Sequence, residues 1–194
     1  MIDIKKMNDN PLSRRREQRY QAQPVEIQTK IDELREMLVP DYQLQIIKRK
    51  RAYPQKGDVF LLNPKGDIYF WGVVVNNHID NINGEDLLLV LIFNERTSLD
   101  KKKNFVVNVD NLLIEPSIVG KEYWTRGYFY TVDNIDLQGL EIDYGFYDII
   151  DAKYYDEYEN EMDHVPQLLG TFGVSTISGI AYNVNWEMII LGIN

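Results

Sequence analysis

The side chains best suited to chemistry are gathered in one stretch, Asp151-Ala152-Lys153-Tyr154-Tyr155-Asp156-Glu157-Tyr158-Glu159-Asn160-Glu161-Met162-Asp163-His164, where acids and tyrosines interleave. Tyr offers a large, rigid, amphipathic contact at low entropic cost. Carboxylates around it steer a basic partner and raise its on-rate. The pattern therefore points to protein recognition, with Tyr154, Tyr155, Asp156, Glu157, Tyr158, Glu159 and Glu161 as the partner-binding residues. The bland alternative is a solvated loop whose rings pack locally. As an element the stretch reads as an exposed loop or a short helix, ended by Pro166.

Other chemistries find less support. The chain has no Cys and only two His. His78 lies in a turn-like Asn76-Asn77-His78-Ile79-Asp80, and no Gly-x-Ser-x-Gly elbow offers a nucleophile. His78-x-Asp80 and Asp163-His164 lack a recognised metal-ligand spacing. The acids of 156–163 lack the glycine that an EF-hand loop needs at its sixth position. Gly170-Thr171-Phe172-Gly173 has neither the Lys nor the spacing of a P-loop. Paired carboxylates of the glycosidase kind are a test that any acidic chain passes. No catalytic residue, cofactor or metal is assigned.

The charge is unevenly spread. Residues 1–56 carry 13 Lys/Arg against 8 Asp/Glu, whereas residues 57–194 carry 8 against 22. An acidic body repels nucleic-acid phosphates and attracts basic proteins. The longest apolar run, Leu87 to Phe93, is too short to span a bilayer, and no signal-peptide pattern follows Met1. The expectation is a soluble cytoplasmic protein with no membrane partner.

The elements that would position the acidic stretch divide into three regions: a polar basic arm over 1–23, an amphipathic helix and connector over 24–53, and a β-rich domain over 54–194. The arm, with Arg14-Arg15-Arg16 and Arg19, shows no clear period and reads as solvated. Ile27, Ile31, Leu34 and Leu38 recur at helical spacing over 24–39, with Pro24 in the first turn and Pro40 as the stop. A basic knot, Lys48-Arg49-Lys50-Arg51, follows. Strands are expected at 57–62, 68–75, 87–93, 104–109, 126–132, 139–147 and 180–191. Leu87–Phe93 has no polar side and should be central, and Gly72 inside its strand suggests a bulge or bend. The fold class is mainly β, a β-rich α+β chain with a strongly curved antiparallel sheet or half-open small barrel and an N-terminal helix.

Two segments carry a resemblance. Lys56-Gly57-Asp58-Val59-Phe60 through Trp71-Gly72-Val73-Val74, and Leu168-Leu169-Gly170-Thr171-Phe172-Gly173-Val174-Ser175 with Gly179-Ile180, resemble the opening and closing motifs of the immunity protein 26 family of bacterial polymorphic-toxin systems. Trp124, ahead of Gly127-Tyr128-Phe129, sits where such proteins often carry a Trp. The resemblance spans roughly 54–192. The matched residues look structural, Gly57, Gly72, Gly170 and Gly173 for backbone and Phe60, Trp71 and Trp124 for core. What it implies is a non-enzymatic protein that binds and neutralises a cognate, basic toxin domain made by the same cell. Charge mimicry of phosphate against a nuclease is the simplest mechanism for an acidic face. Two other classes stay open. A small-barrel hydrolase or ribonuclease-like enzyme would gather His78 or His164 with Arg126 and a carboxylate in a pocket. A nucleic-acid module would use the basic N-terminal region, although the acidic body makes nucleic acid an unlikely partner.

Overall fold

The computed structural model describes residues 10–99 and 105–193. Three helices come first: α1 (Pro11–Gln21), α2 (Val25–Glu36) and the one-turn α3 (Val39–Tyr42). Strands β1 (Asp58–Lys65), β2 (Ile68–Asn81) and β3 (Gly84–Thr97) follow, then β4 (Ser117–Val119), the one-turn α4 (Glu122–Thr125) and β5 (Phe129–Asn134). The chain continues through β6 (Tyr144–Asp148), β7 (Lys153–Tyr155) and β8 (Leu168–Thr171) to α5 (Ile177–Ile190). Five strands form an antiparallel sheet in the order β4-β3-β2-β1-β5, and its edges do not close on each other. A smaller sheet, β7-β6-β8, pairs β6 with β8 in parallel. The fold is mainly β.

Alternation along the long strands makes the sheet two-sided. Leu88, Val90 and Ile92 point to one face, while Leu87, Leu89, Leu91 and Phe93 point to the other. Both faces are covered, so a run without a polar side is what β3 requires. The first face packs with Phe60, Phe70, Trp124 and Phe129 under Ile180, Ala181, Val184 and Met188 of α5. The second packs with Trp71, Val73, Phe105, Ile118 and Phe146.

The opening motif is structural in both of its glycines. Gly57 has φ +85°, and a Cβ there would lie 2.2 Å from the Ile135 carbonyl oxygen. Gly72 pairs directly with Phe60, whose ring covers it; a Cβ would lie 2.3 Å from Cζ. That ring stacks on Phe129 at 4.4 Å and meets Trp124 edge-on at 5.3 Å. A register shift against β3 falls between Phe70 and Gly72, the bulge its position suggested.

Several elements differ from the sequence reading. The 180–191 strand is the C-terminal part of α5, capped by Thr176, whose Oγ1 accepts from the Gly179 amide at 3.0 Å. Its apolar residues face two clusters, with Ile180, Val184 and Met188 on the sheet and Trp186 on Ile31 and Leu34 of α2. That removes the one-sided period by which a helix is read. The 139–147 strand begins only at Tyr144, where β8 supplies a partner; Leu140 is exposed. Residues 105–108 are irregular and lead into a 3-10 turn at Val109–Asn111, and residue 104 lies outside the described residues.

Residues 11–21 are helical rather than an irregular arm, and residues 1–9 lie outside the described residues. Asn10 caps α1, its Oδ1 accepting from the Leu12 and Ser13 amides, and Pro11 takes the first position. The amphipathic helix is α2; Ile31 and Leu34 are buried, but Leu38 falls beyond its end and is exposed.

Candidate partner-binding face

The acidic tyrosine stretch forms neither a plain loop nor a helix. β7 leads into a tight reversal, closed by a bridge between Tyr155 and Glu161. Asp156 builds the turn. Its Oδ1 accepts from the Tyr158 and Asn160 amides at 2.8 and 2.9 Å, and its Oδ2 accepts from Asn160 Nδ2 at 2.8 Å. Glu159 takes φ +68° at the tip.

The turn is latched to the far end of the β2–β3 hairpin. Glu157, 5% exposed, points inward. Its Oε1 accepts from Asn76 Nδ2 at 2.8 Å and from the Tyr144 hydroxyl at 2.6 Å, and its carbonyl accepts from Asn81 Nδ2 at 3.0 Å. Glu159 Oε1 accepts from the Ile82 amide at 2.9 Å, and Asn76 Nδ2 also donates to the Tyr158 hydroxyl at 2.8 Å. Burial, and next the Glu157 carboxylate, push the Tyr144 phenol well above its ordinary value, so it remains a donor.

The hairpin end is itself tightly specified. Register shifts at Val74/Asn76, Asn76/Ile79 and Ile79/Asn81 twist it out of regular pairing. His78 and Asp86 take φ +54° and +53°. Tyr53 stacks on the His78 ring at 4.4 Å, accepts from the His78 amide at 3.0 Å and donates to the Asp86 carbonyl at 3.0 Å. His78 Nδ1 meets Asp86 Oδ1 at 2.9 Å, and Asp80 accepts from the Asp86 amide at 2.8 Å. Among the described residues, the four non-glycine positions with positive φ are His78, Asp86, Ala152 and Glu159; three of them lie on these two joined segments, and Ala152 lies in the β6–β7 connection. Such backbone persists only where its surroundings over-determine it.

The expected site residues therefore separate. Glu157 is buried and acts as a latch, which corrects its place on an exposed face. Tyr154 packs on Tyr147 and beside Leu12 and Leu169, and Tyr155 packs on Phe172 and bonds to Asp151. Tyr158, Glu159 and Glu161 are exposed, with Glu161 paired to Lys153. The hairpin adds what the sequence reading left out: exposed Asp80, Glu85 and Asp86, and Ile82 at 81% exposure. Asn81-Ile82-Asn83-Gly84 is visible as a turn in the sequence. Nothing local places it beside a segment over seventy residues away.

At the other edge of this face His164 bridges two acids, Nε2 to Asp143 and Nδ1 to Asp163, each at 3.0 Å. The pairing with Asp143, then with Asp163, holds the imidazole above its ordinary value and draws both carboxylates below theirs. None of His78, His164 and Arg126 lines the cleft that lies against α1 and α5. Among the described residues no group of three or more His, Asp or Glu is placed to hold a metal. No helix there is long and apolar enough to cross a membrane. Of the basic N-terminal side chains, Arg16, Arg19 and Arg35 are engaged by side chains of the protein itself.

No curated protein and no solved structure matches the chain. The family model for immunity protein 26 matches residues 55–161, from the opening Gly-Asp strand into the acidic turn. The closing motif at 168–180, α1, α2 and α5 lie outside the matched segment, which is shorter than the 54–192 span of the resemblance. With over half of its length matched, the chain belongs to the immunity protein 26 family, an immunity protein of a toxin system.

Proposed function

We propose that the protein neutralises its cognate toxin by binding rather than catalysis, through the face built jointly by the β2–β3 hairpin end and the 156–163 turn. The observation that carries this reading is the convergence of strained, cross-latched backbone on one exposed acidic and aromatic surface. A face held in one conformation before contact avoids the entropic cost of ordering its loops on binding. Tyr158 and Ile82 supply exposed apolar area at its centre. Glu85, Asp86, Glu161 and Asp163 surround them with negative charge that speeds encounter with a basic toxin surface. Seated there, the protein covers the toxin's active site or its substrate path, and against a nuclease the carboxylates stand in for phosphates.

The test is co-expression with the toxin encoded beside it, scored by growth rescue and pull-down. Binding should weaken by at least about tenfold for Tyr158→Ala combined with Glu161→Lys and Asp163→Lys. The variant must keep the wild-type circular dichroism. Unchanged affinity in a folded variant would move the toxin site off this face and leave family membership untouched.

A further inference from the structure

Helix α1 is seated on the protein in an unusual way. Its one buried apolar side chain is Leu12, Tyr20 rests against Trp186 and donates to Asp32, and two arginines make the remaining contacts with α5. The Arg16 guanidinium lies 4.2 Å from the Trp186 ring and 5.1 Å from Tyr182, and its Nη1 donates to Asn183 Oδ1 at 3.0 Å. Close to one turn later, Arg19 donates through both terminal nitrogens to Glu187, each at 2.6 Å. On α5 these partners form two adjacent rows, Tyr182 with Trp186 and Asn183 with Glu187, each at i,i+4 spacing. Ring faces attract a guanidinium, and a carboxylate accepts its two-pronged fork. The outer face of α5 is thus a built receptor for two arginines.

The seated helix leaves that receptor incompletely satisfied. Arg16 Nη2 is buried with no hydrogen-bond partner among the described residues. The cleft beside it, about 440 Å³, is walled by Arg15, Arg16, Arg19 and Glu115. Glu115 faces all three cations, yet its carboxylate makes no hydrogen bond or ion pair among the described residues. Burial pushes its carboxyl upward against their pull. A polar group left unpaired out of water works against the assembly that buries it. An arginine segment that also reached Glu115 would fit better than α1 does. Ala22, Gln23 and Pro24 join α1 to α2, and α1 meets the small sheet where Leu12 packs with Tyr147 and Leu169, so lifting it uncovers those side chains but breaks no strand pairing.

We propose that the α5 face from Tyr182 to Glu187, with Glu115, is a docking groove for an arginine-bearing helix of a partner protein. Helix α1 is its intramolecular occupant and gives way when the partner binds. The groove is separate from the acidic turn, and all of it except Glu115 lies outside the segment that matches the family.

The probe is a fluorescent peptide of residues 11–21, helix-stapled through the outward positions of Ser13 and Glu17. It is titrated by polarisation into the full chain. It should bind Arg16→Ala/Arg19→Ala at least about tenfold more tightly than wild type, whose own α1 holds the groove at high effective concentration. Adding Glu187→Gln to that variant should undo the gain. A peptide with Lys at both arginine positions should bind several-fold more weakly, since Lys cannot make the fork. No binding at millimolar peptide to a folded variant, or equal binding of the Lys peptide, overturns the groove. A concentration-dependent dimer of the wild type would assign it to α1 of a second copy and overturn the partner. Should the variant not fold, hydrogen exchange on wild type decides. Helix α1 should exchange before α2, and faster with added salt; protection equal to that of α2 refutes a displaceable helix.

Discussion

Glu157→Ala tests whether the turn and the hairpin are one unit. The substitution removes a buried carboxylate that accepts from Tyr144 at 2.6 Å and Asn76 at 2.8 Å. Hydrogen bonds to a charged acceptor contribute about 1.5–3 kcal/mol each, and the orphaned Tyr144 hydroxyl adds a desolvation cost. Shared acceptance by one oxygen makes the two less than additive, so a loss of roughly 3 kcal/mol is expected. For a chain of this size that corresponds to about 6–12 °C in Tm. Glu157→Gln keeps an acceptor at that point without the charge and should cost only about 1 kcal/mol. Glu161→Ala, exposed and paired to Lys153, should stay within about 0.5 kcal/mol. Urea unfolding with unchanged m-values measures all three. Hydrogen exchange at the Ile82 amide reports locally, because its acceptor is Glu159 on the same turn. If Glu157→Ala is no worse than Glu161→Ala, the latch is not what holds the two segments together.

Gly72→Ala should cost about 3 kcal/mol, because its Cβ overlaps the Phe60 ring and that ring is fixed by Phe129 and Trp124. Phe60→Leu frees the space, so in urea unfolding the double variant should be more stable than the sum of the single costs by about 1 kcal/mol. For His164 the sign follows from a pKa raised by Asp143 and Asp163. Its favourable pairing is complete below the ordinary histidine value of about 6.5 and is lost as pH rises through the raised value. The two carboxylates add the opposite limb, since their lowered values mean that their share is lost as pH falls below about 4. An NMR titration should place the imidazole above 6.5 and return it toward that value in Asp143→Asn. An unshifted imidazole in wild type would contradict the geometry.

What the sequence made legible follows from where each element finds its partners. Strands β1, β2 and β3 pair with chain neighbours through short turns, so their alternation and punctuation carry enough information. Gly72 was readable as a bulge from its place within its strand, whereas Gly57 and Trp124 looked structural through the family resemblance. Helix α5 was not readable, since burial against both the sheet and α2 leaves no polar side to set a period. Helix α1 fails in the opposite sense: two arginines, Leu12 and Tyr20 hold it, and no apolar stripe develops, although Asn10-Pro11 is a usable start signal. The alternation of Leu140, Ile142, Tyr144 and Phe146 is real, but a strand needs a pairing edge, and one exists only from Tyr144.

The candidate site shows the same division more sharply, and it decides how mutants of this face are to be read. Acid and tyrosine content marks residues 151–164 as the candidate segment, but composition cannot separate carboxylates that build a turn from those that face solvent. Asp156 is consumed by three hydrogen bonds inside the turn, and Glu157 by contacts to Asn76 and Tyr144. Reversing either charge would disturb the turn, and lost toxin binding would then report on folding. Among the described residues the side chains of Ile82, at 81% exposure, and Glu85 make no hydrogen bond, and the Tyr158 hydroxyl accepts one, from Asn76 of the hairpin. In the proposed face, Ile82 and Tyr158 are the exposed apolar side chains that a partner would cover. Variants at Ile82, Tyr158 and Glu85 therefore isolate recognition, and Glu157→Ala isolates architecture. A toxin that loses affinity for the first group, while the protein's unfolding midpoint stays fixed, is bound at this face.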